Sequence, residues 1–199
     1  MRLGPGDSIS DSDAAEDVVA AAAAGDPEAW KSLVGLWSRR VYAAAQSRLR
    51  DPEAAEEVVQ SVMVTVYEHI SSGKYAHKGQ FESWLFRIAM NRVRDVVRRS
   101  QRQRTRSLTL ATEGVHASDP PPAAAAEDAA TQALRLAIES LPEADREVLS
   151  LRHHAQLGFS AIAELLGQPV GTVLARHHRA LAKLRVQLES QSRSAEVGS

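Results

Sequence analysis

The chain has 199 residues, a net charge of −1, 44% hydrophobic residues and no cysteine. That length allows one or two domains, and the lack of thiols excludes a disulfide framework and any thiolate metal site. No apolar run approaches a membrane span, and the acidic N-terminus lacks the basic-then-apolar pattern of a secretory signal, so a cytoplasmic protein without membrane insertion is expected.

The small net charge hides an asymmetry. Residues 1–30 hold seven acids and one arginine, whereas residues 87–106 hold eight arginines and one acid. Local charge is therefore the better guide to partners.

Residues 1–12, rich in Gly, Pro, Asp and Ser, read as a disordered acidic tail. A short helix follows, capped by Asp13, anchored by Val18 and Val19 and ended by Gly25. Asp26-Pro27-Glu28 reads as N-cap, first helical position and acidic first turn, and Asp51-Pro52-Glu53 repeats the device. Between them, a helix from Ala29 to Arg50 carries Trp30, Leu33, Val34, Trp37, Val41, Ala44 and Ala45 on its apolar side. A third helix, from Pro52 to about Ile70, turns Val58, Val62, Thr65, Val66 and Ile70 inward and Glu53, Glu56, Glu57 and Gln60 outward. Trp30, Trp37 and Met63 read as core side chains. Residues 71–79 form a loop with two glycines, two lysines, Tyr75 and His77.

The stretch from Phe81 to Arg99, FESWLFRIAMNRVRDVVRR, begins aromatic and ends basic. At about 100° per residue, Leu85, Ala89, Val93 and Val96 share one stripe, and Arg87, Asn91, Arg94 and Arg98 share another. One helix thus buries a core face and offers a guanidinium row with one amide, a spacing that suits phosphates and a base edge. Taken alone, the stretch fits a solvated arginine face equally well. Arg92 lies beside the apolar stripe, where it is expected to snorkel or pair with an acid rather than meet DNA. An N-terminal helical domain over 13–106 follows from this pattern. Residues 107–128 contain three consecutive prolines and an alanine run, and read as a linker.

A C-terminal domain occupies 129–189, with a tail over 190–199. Gln132 to Ser140 reads as a helix with Leu134, Ile138 and Leu141 inward, and Glu143 to His154 as the next, with Val148, Leu149 and Leu151 apolar. Then Ser160 caps a short helix of Ile162, Ala163, Leu165 and Leu166. Gly167-Gln168-Pro169 breaks it, and a longer amphipathic helix opens at Val170 or Gly171. On that helix Val173, Ala180, Leu184 and Leu188 are buried, while Thr172, Arg176, Arg179 and Lys183 lie opposite. A short helix, a glycine turn and a second helix with a basic free face make a helix-turn-helix. The fold class is all-α: two helical domains joined by a flexible linker, the second carrying the helix-turn-helix.

With both stretches placed, the chain resembles a bacterial RNA polymerase sigma factor of the small extracytoplasmic-function group. The resemblance runs from about Val18 to Glu189, through GDPEAW, DPEAAEEVVQSV, the aromatic-basic stretch, LPEADREVLSLR, IAELLGQPVGTV and ARHHRALAKLR. It implies a protein that binds core RNA polymerase, lends it promoter specificity and assists melting, without being an enzyme or using a cofactor. It implies polymerase docking by Glu56, Glu57 and Gln60. It assigns the loop, with Ser72, Lys74, Tyr75 and Lys78, and the face of Arg87, Asn91, Arg94 and Arg98 to the −10 element. Thr172, Leu174, Ala175, Arg176, His178, Arg179 and Lys183 fall on the helix facing the −35 element. Leu174 and Ala175 stand where many members carry a basic residue and a serine. An apolar pair suits a thymine methyl but makes no bidentate bond to guanine. Expected partners are core polymerase and promoter DNA, with room for an anti-sigma factor.

Other classes fit less well. No Gly-rich phosphate loop, HExxH or GxSxG is present. The histidines cluster as His153-His154 and His177-His178, and neighbours on a helix point about 100° apart, so neither pair makes a metal face. His177 reads as a core residue at the rim of the buried stripe, and His178 as outward-facing. A stand-alone helix-turn-helix regulator leaves the aromatic-basic half idle. An RNA-binding helical protein would lack the duplex-groove geometry of the second helix. The linker, averaging ~25 Å as a coil, is too loose to set the distance between two DNA contacts, so a larger assembly must do so.

Overall fold

Aspartate and proline set the starts of the two central helices. A computed structural model describes residues 8–75, 80–111 and 129–197, with side chains over 15–75, 80–103 and 130–190. Asp26 caps α2 (Pro27–Leu49) by accepting from Glu28 N. Asp51 caps α3 (Pro52–Ser71) by accepting from Glu53 N and Ala54 N at 3.0 and 3.2 Å. In both, the proline occupies a first-turn position whose N–H would have no partner. α2 ends at Arg50, which adopts a left-handed φ of 57° and donates its N–H to Gln46 O.

The helix α1 (Ser8–Ala23) lies against α2 and buries Val19 and Ala22. It starts at Ser8, so residues 8–12 are helical rather than part of a disordered tail. Leu33, Trp37 and Val41 of α2, Val58, Val62 and Val66 of α3, and Leu85, Phe86, Ala89, Met90 and Val93 of α4 (Phe81–Ala111) make the first core. Trp37 meets Phe81 and Phe86 edge-on, with centroids 5.5 and 6.3 Å away. α4 runs five residues past Arg106, so 107–111 are helical; the rest of the expected linker, 112–128, lies outside the described residues.

In the second half, α5 (Ala129–Glu139), α6 (Glu143–His153) and α7 (Phe159–Leu166) pack around α8 (Val170–Val197). Ala137, Leu141, Leu149, Ala180 and Leu184 form a satellite core. Leu134, expected inward, is 42% exposed, and Ala137 takes the buried position. The N-cap of α7 is Gly158 without a side-chain bond, not Ser160. Gly167 ends α7 at φ +62° and donates its N–H to Ala163 and Glu164 carbonyls, while Gln168 N reaches Ala163 O at 2.9 Å. Few L-residues adopt that φ cheaply, so glycine fits the turn.

The two helical domains are in contact. α7 packs on α4 and α6 on α2. Leu151, Ala155, Leu157 and Ile162 are fully buried and continue the first core into the second half.

Loss of the Asp51 cap strands two N–H groups, whereas loss of Asp26 strands one. Asp51→Ala should cost about 1 kcal/mol, within the usual 0.5–2 range, and more than Asp26→Ala. Urea unfolding of the two variants measures the difference.

Candidate nucleic-acid and polymerase interfaces

The expected basic face of α4 forms. Arg87, Asn91 and Arg98 are exposed and Arg94 is half-buried, opposite the buried Leu85, Ala89 and Val93. Arg94 donates to Asn91 Oδ1 at 3.0 Å and to Glu147 Oε1 at 2.8 Å. It therefore bridges its own helix and the second half. Arg92 is exposed, which fits the snorkelling alternative.

The loop before α4 divides into exposed and anchored parts. Ser72 and Lys74 are exposed. Tyr75 turns into an aromatic cluster, 4.7 Å from Trp84 and 5.6 Å from Phe81, and donates its N–H to His69 O. Burial first, and Glu16 second, push its hydroxyl pKa up. Tyr75 is thus positioned as the loop's anchor. Lys78 lies outside the described residues.

On α3, Glu56, Glu57 and Gln60 are exposed on one face. One turn on, Val64 and Tyr67 are 58% and 56% exposed. Beside them Trp30, Lys31, Val34, Gly35, Met63 and Tyr67 line a shallow, almost wholly apolar groove, with Trp30 and Tyr67 rings 5.1 Å apart. Trp37 is core as expected. Trp30 and Met63 are half-buried, packing against the core while also lining the groove, and Val34 is 42% exposed. The helical pattern of α2 and α3 marks these positions as apolar but does not say that no third helix covers them.

On α8, Val173 packs back onto the turn and Ala180 and Leu184 face inward. His178 and Arg179 are exposed, and Thr172, Leu174, Ala175 and Arg176 half-buried, along the free side. Lys183 is exposed, with Nζ 3.8 Å from Asp145.

Models of two family units match the chain. Sigma-70 region 2 covers residues 33–103 and sigma-70 region 4 covers 131–184. RNA polymerase sigma-E factor of Streptomyces avermitilis is 31% identical, over 77% of this chain and 82% of its own length. The chain belongs to the sigma factors of the extracytoplasmic-function group. ECF RNA polymerase sigma factor SigE of Mycolicibacterium smegmatis is 33% identical over 82% of this chain, which spans 63% of SigE. The solved structure of CnrH in complex with the cytosolic domain of CnrY superposes with a TM-score of 0.64 at 26% identity, covering 89% of this chain and 98% of CnrH. α2 to α4 are thus region 2, and α5 to α8 region 4. Among the described residues no helix is long and apolar enough to cross a membrane.

Region 4 contains one arrangement that sequence spacing missed. His153, at the end of α6, and His177, on α8, come from different pairs and stack, with Nε2 atoms 3.1 Å apart. One ring must donate and the other accept, so the contact holds one proton. His177 is buried, edge-on to Phe159 at 5.1 Å, with Nδ1 lacking a hydrogen-bond partner. Arg152 lies over the Phe159 ring and donates to Leu157 O. The His177 pKa is lowered by burial, then by His153, His178 and Arg152. That of His154 is lowered by burial and by His153. His177 is the buried residue the sequence suggests, but its partner is a second titratable ring. Among the described residues no group of three or more His, Cys, Asp or Glu is placed to hold a metal ion.

A histidine whose folded pKa lies below its unfolded value leaves the unfolded chain binding more protons. Its contribution is intact above about pH 6.5 and is lost as pH falls from there through the folded pKa. The urea midpoint should therefore drop between about pH 7.5 and pH 5.5, spanning the free histidine value. His153→Ala removes one of the charges that depress His177, and should make that drop shallower.

Proposed function

We propose that this sigma factor docks on core RNA polymerase through the exposed α3 face and the groove beside it. In this reading Glu56, Glu57 and Gln60 meet a basic surface of the polymerase, and Trp30, Val34, Met63 and Tyr67 receive an apolar ridge next to it. The observation that carries this is the groove itself, where apolar side chains of α2 and α3 lie open beside the acidic face. Docked region 2 presents Arg87, Asn91, Arg94 and Arg98 to the −10 element, with Ser72, Lys74, Tyr75 and Lys78 in the adjoining loop. Region 4 lays α8 in the major groove at the −35 element, with Thr172, Leu174, Ala175, Arg176, His178, Arg179 and Lys183 along the contact.

The arginines supply affinity by displacing counterions from phosphates. Asn91 has the amide geometry for an adenine edge. Unstacking a base costs a few kcal/mol, so capture of one extruded base by the loop favours melting at the right sequence. The factor directs initiation and does not catalyse nucleotide transfer. Its place of work is the cytoplasm, where promoter DNA and polymerase meet. A protein that binds the factor itself, as an anti-sigma factor would, is in keeping with CnrH, which was solved in complex with the cytosolic domain of CnrY.

Glu56→Lys with Glu57→Lys should abolish polymerase binding in pull-down while leaving the melting curve unchanged, because both residues are exposed. Normal binding by the folded double variant removes the docking assignment. Arg176→Ala with Arg179→Ala should leave polymerase binding intact and lower transcription from a −35-dependent promoter roughly tenfold or more, given ~1–3 kcal/mol per good base contact. A stand-alone regulator, by contrast, would shift its operator in the absence of polymerase.

A further inference from the structure

The buried stripe of α8 has one polar member. Val173, His177, Ala180 and Leu184 follow one another at helical spacing and are all buried. Apolar packing is non-directional, so the other three fix how closely α8 lies more firmly than how it is turned. His177 supplies direction. Its Nε2 meets His153 Nε2 at 3.1 Å, and its Nδ1 has no hydrogen-bond partner. Among the described residues that contact is the ring's one polar tie. His153 is the last residue of α6 and is itself exposed. The tie therefore joins the end of α6 to the second helix of the helix-turn-helix.

We infer that His153 is a positioning residue for −35 recognition: through its contact with His177 it sets the rotation of α8, and with it the direction of Arg176 and His178. The inference rests on the reading of α8 as the −35 helix. Arg176 and His178 flank His177, one on each side at about 100°. A turn of ~10° about the helix axis moves a side-chain tip at ~5–6 Å radius by ~1 Å, enough to spoil the hydrogen-bond geometry that reads a base edge. The contact holds one proton. A second proton leaves two N–H donors and two like charges face to face, and the tie breaks. The charges acting on His177 are those of His153, His178 and Arg152. His153 also acts on its neighbour His154, and α7 faces His177 with the Phe159 ring. Positioning is thus present near neutral pH and lost as the pair takes up its second proton.

The test uses the full chain in complex with core polymerase. It compares binding to a promoter duplex with binding to a copy whose −35 element is scrambled. The ratio is the readout because protonation of His178 adds positive charge that strengthens binding to any duplex. For the wild type the ratio should fall roughly fivefold, the effect of one ordinary hydrogen bond, between about pH 7.5 and pH 5.5, on either side of the free histidine value. His153→Ala should show the lower ratio already at the higher pH and little change below it. His153→Gln keeps an N–H donor and a carbonyl acceptor, so it can serve His177 in either role without titrating. It should restore the wild-type ratio at the higher pH and hold it at the lower. His153 is exposed, so neither change opens the core. The inference is overturned if His153→Ala matches wild type throughout, if His153→Gln fails to restore the ratio, or if His153→Gln falls with pH as steeply as wild type. Arg176→Ala with Arg179→Ala tests the underlying reading by itself. If that pair collapses the ratio while the His153 variants track wild type, α8 reads the −35 element and the positioning role falls. If the pair leaves the ratio unchanged, the reading of α8 falls, and the inference with it.

Discussion

Arg40 is where the two halves of this sigma factor become one object. Its guanidinium lies 4.4 Å from the Trp37 ring and 5.4 Å from that of Phe86, inside the region 2 core. It pairs with Glu82 on α4 and donates to Ala155 O in region 4 at 2.8 Å. A cation this enclosed is tolerated only with its donors satisfied. Region 2 supplies the carboxylate and the aromatic faces, and region 4 supplies the carbonyl. Around it, Leu151, Leu157 and Ile162 exclude water completely. Of the other polar links between the halves, those made by Ser83 and Ser150 are buried, and those of Arg50 and Arg94 are partly exposed.

That placement joins the halves by apolar burial as well as by charge. Parting the halves would expose apolar surface on α6 and α7 to water and take Glu143, Glu139 and Glu147 from Arg48, Arg50 and Arg94. Most exposed ion pairs contribute little, but here three of one polarity share a partly dry edge. The groove lined by Trp30, Val34, Met63 and Tyr67 lies beside the exposed Glu56, Glu57 and Gln60 of α3.

Much of the fold was legible in the residues. Two Asp-Pro-Glu starts, a glycine turn at Gly167 and clear apolar stripes locate α2, α3, α4, α7 and α8 because caps and periodicity act over a few residues. The errors have one cause. Leu134 and Val34 are apolar and correctly spaced, yet among the described residues no helix covers them, while Trp30 and Met63 pack on the core with one side left open to the groove. Arg92 and Arg94 are two residues apart, and only the position of Glu147 decides that Arg94 is the one that pairs. His153 and His177 sit in separate sequence doublets, so nothing in their spacing shows that the rings stack.

The sequence by itself determined an all-α chain, its helix-turn-helix, its family and the faces where arginines, acids and amides gather. These depend on local propensity and on charge written directly in the residues. Only the tertiary structure decided that region 4 closes on region 2, that Arg40 joins them, and that Glu139, Glu143 and Glu147 meet region 2 arginines. Those contacts join residues up to 115 positions apart, and a pairing at that separation depends on how helices pack, which no local pattern encodes.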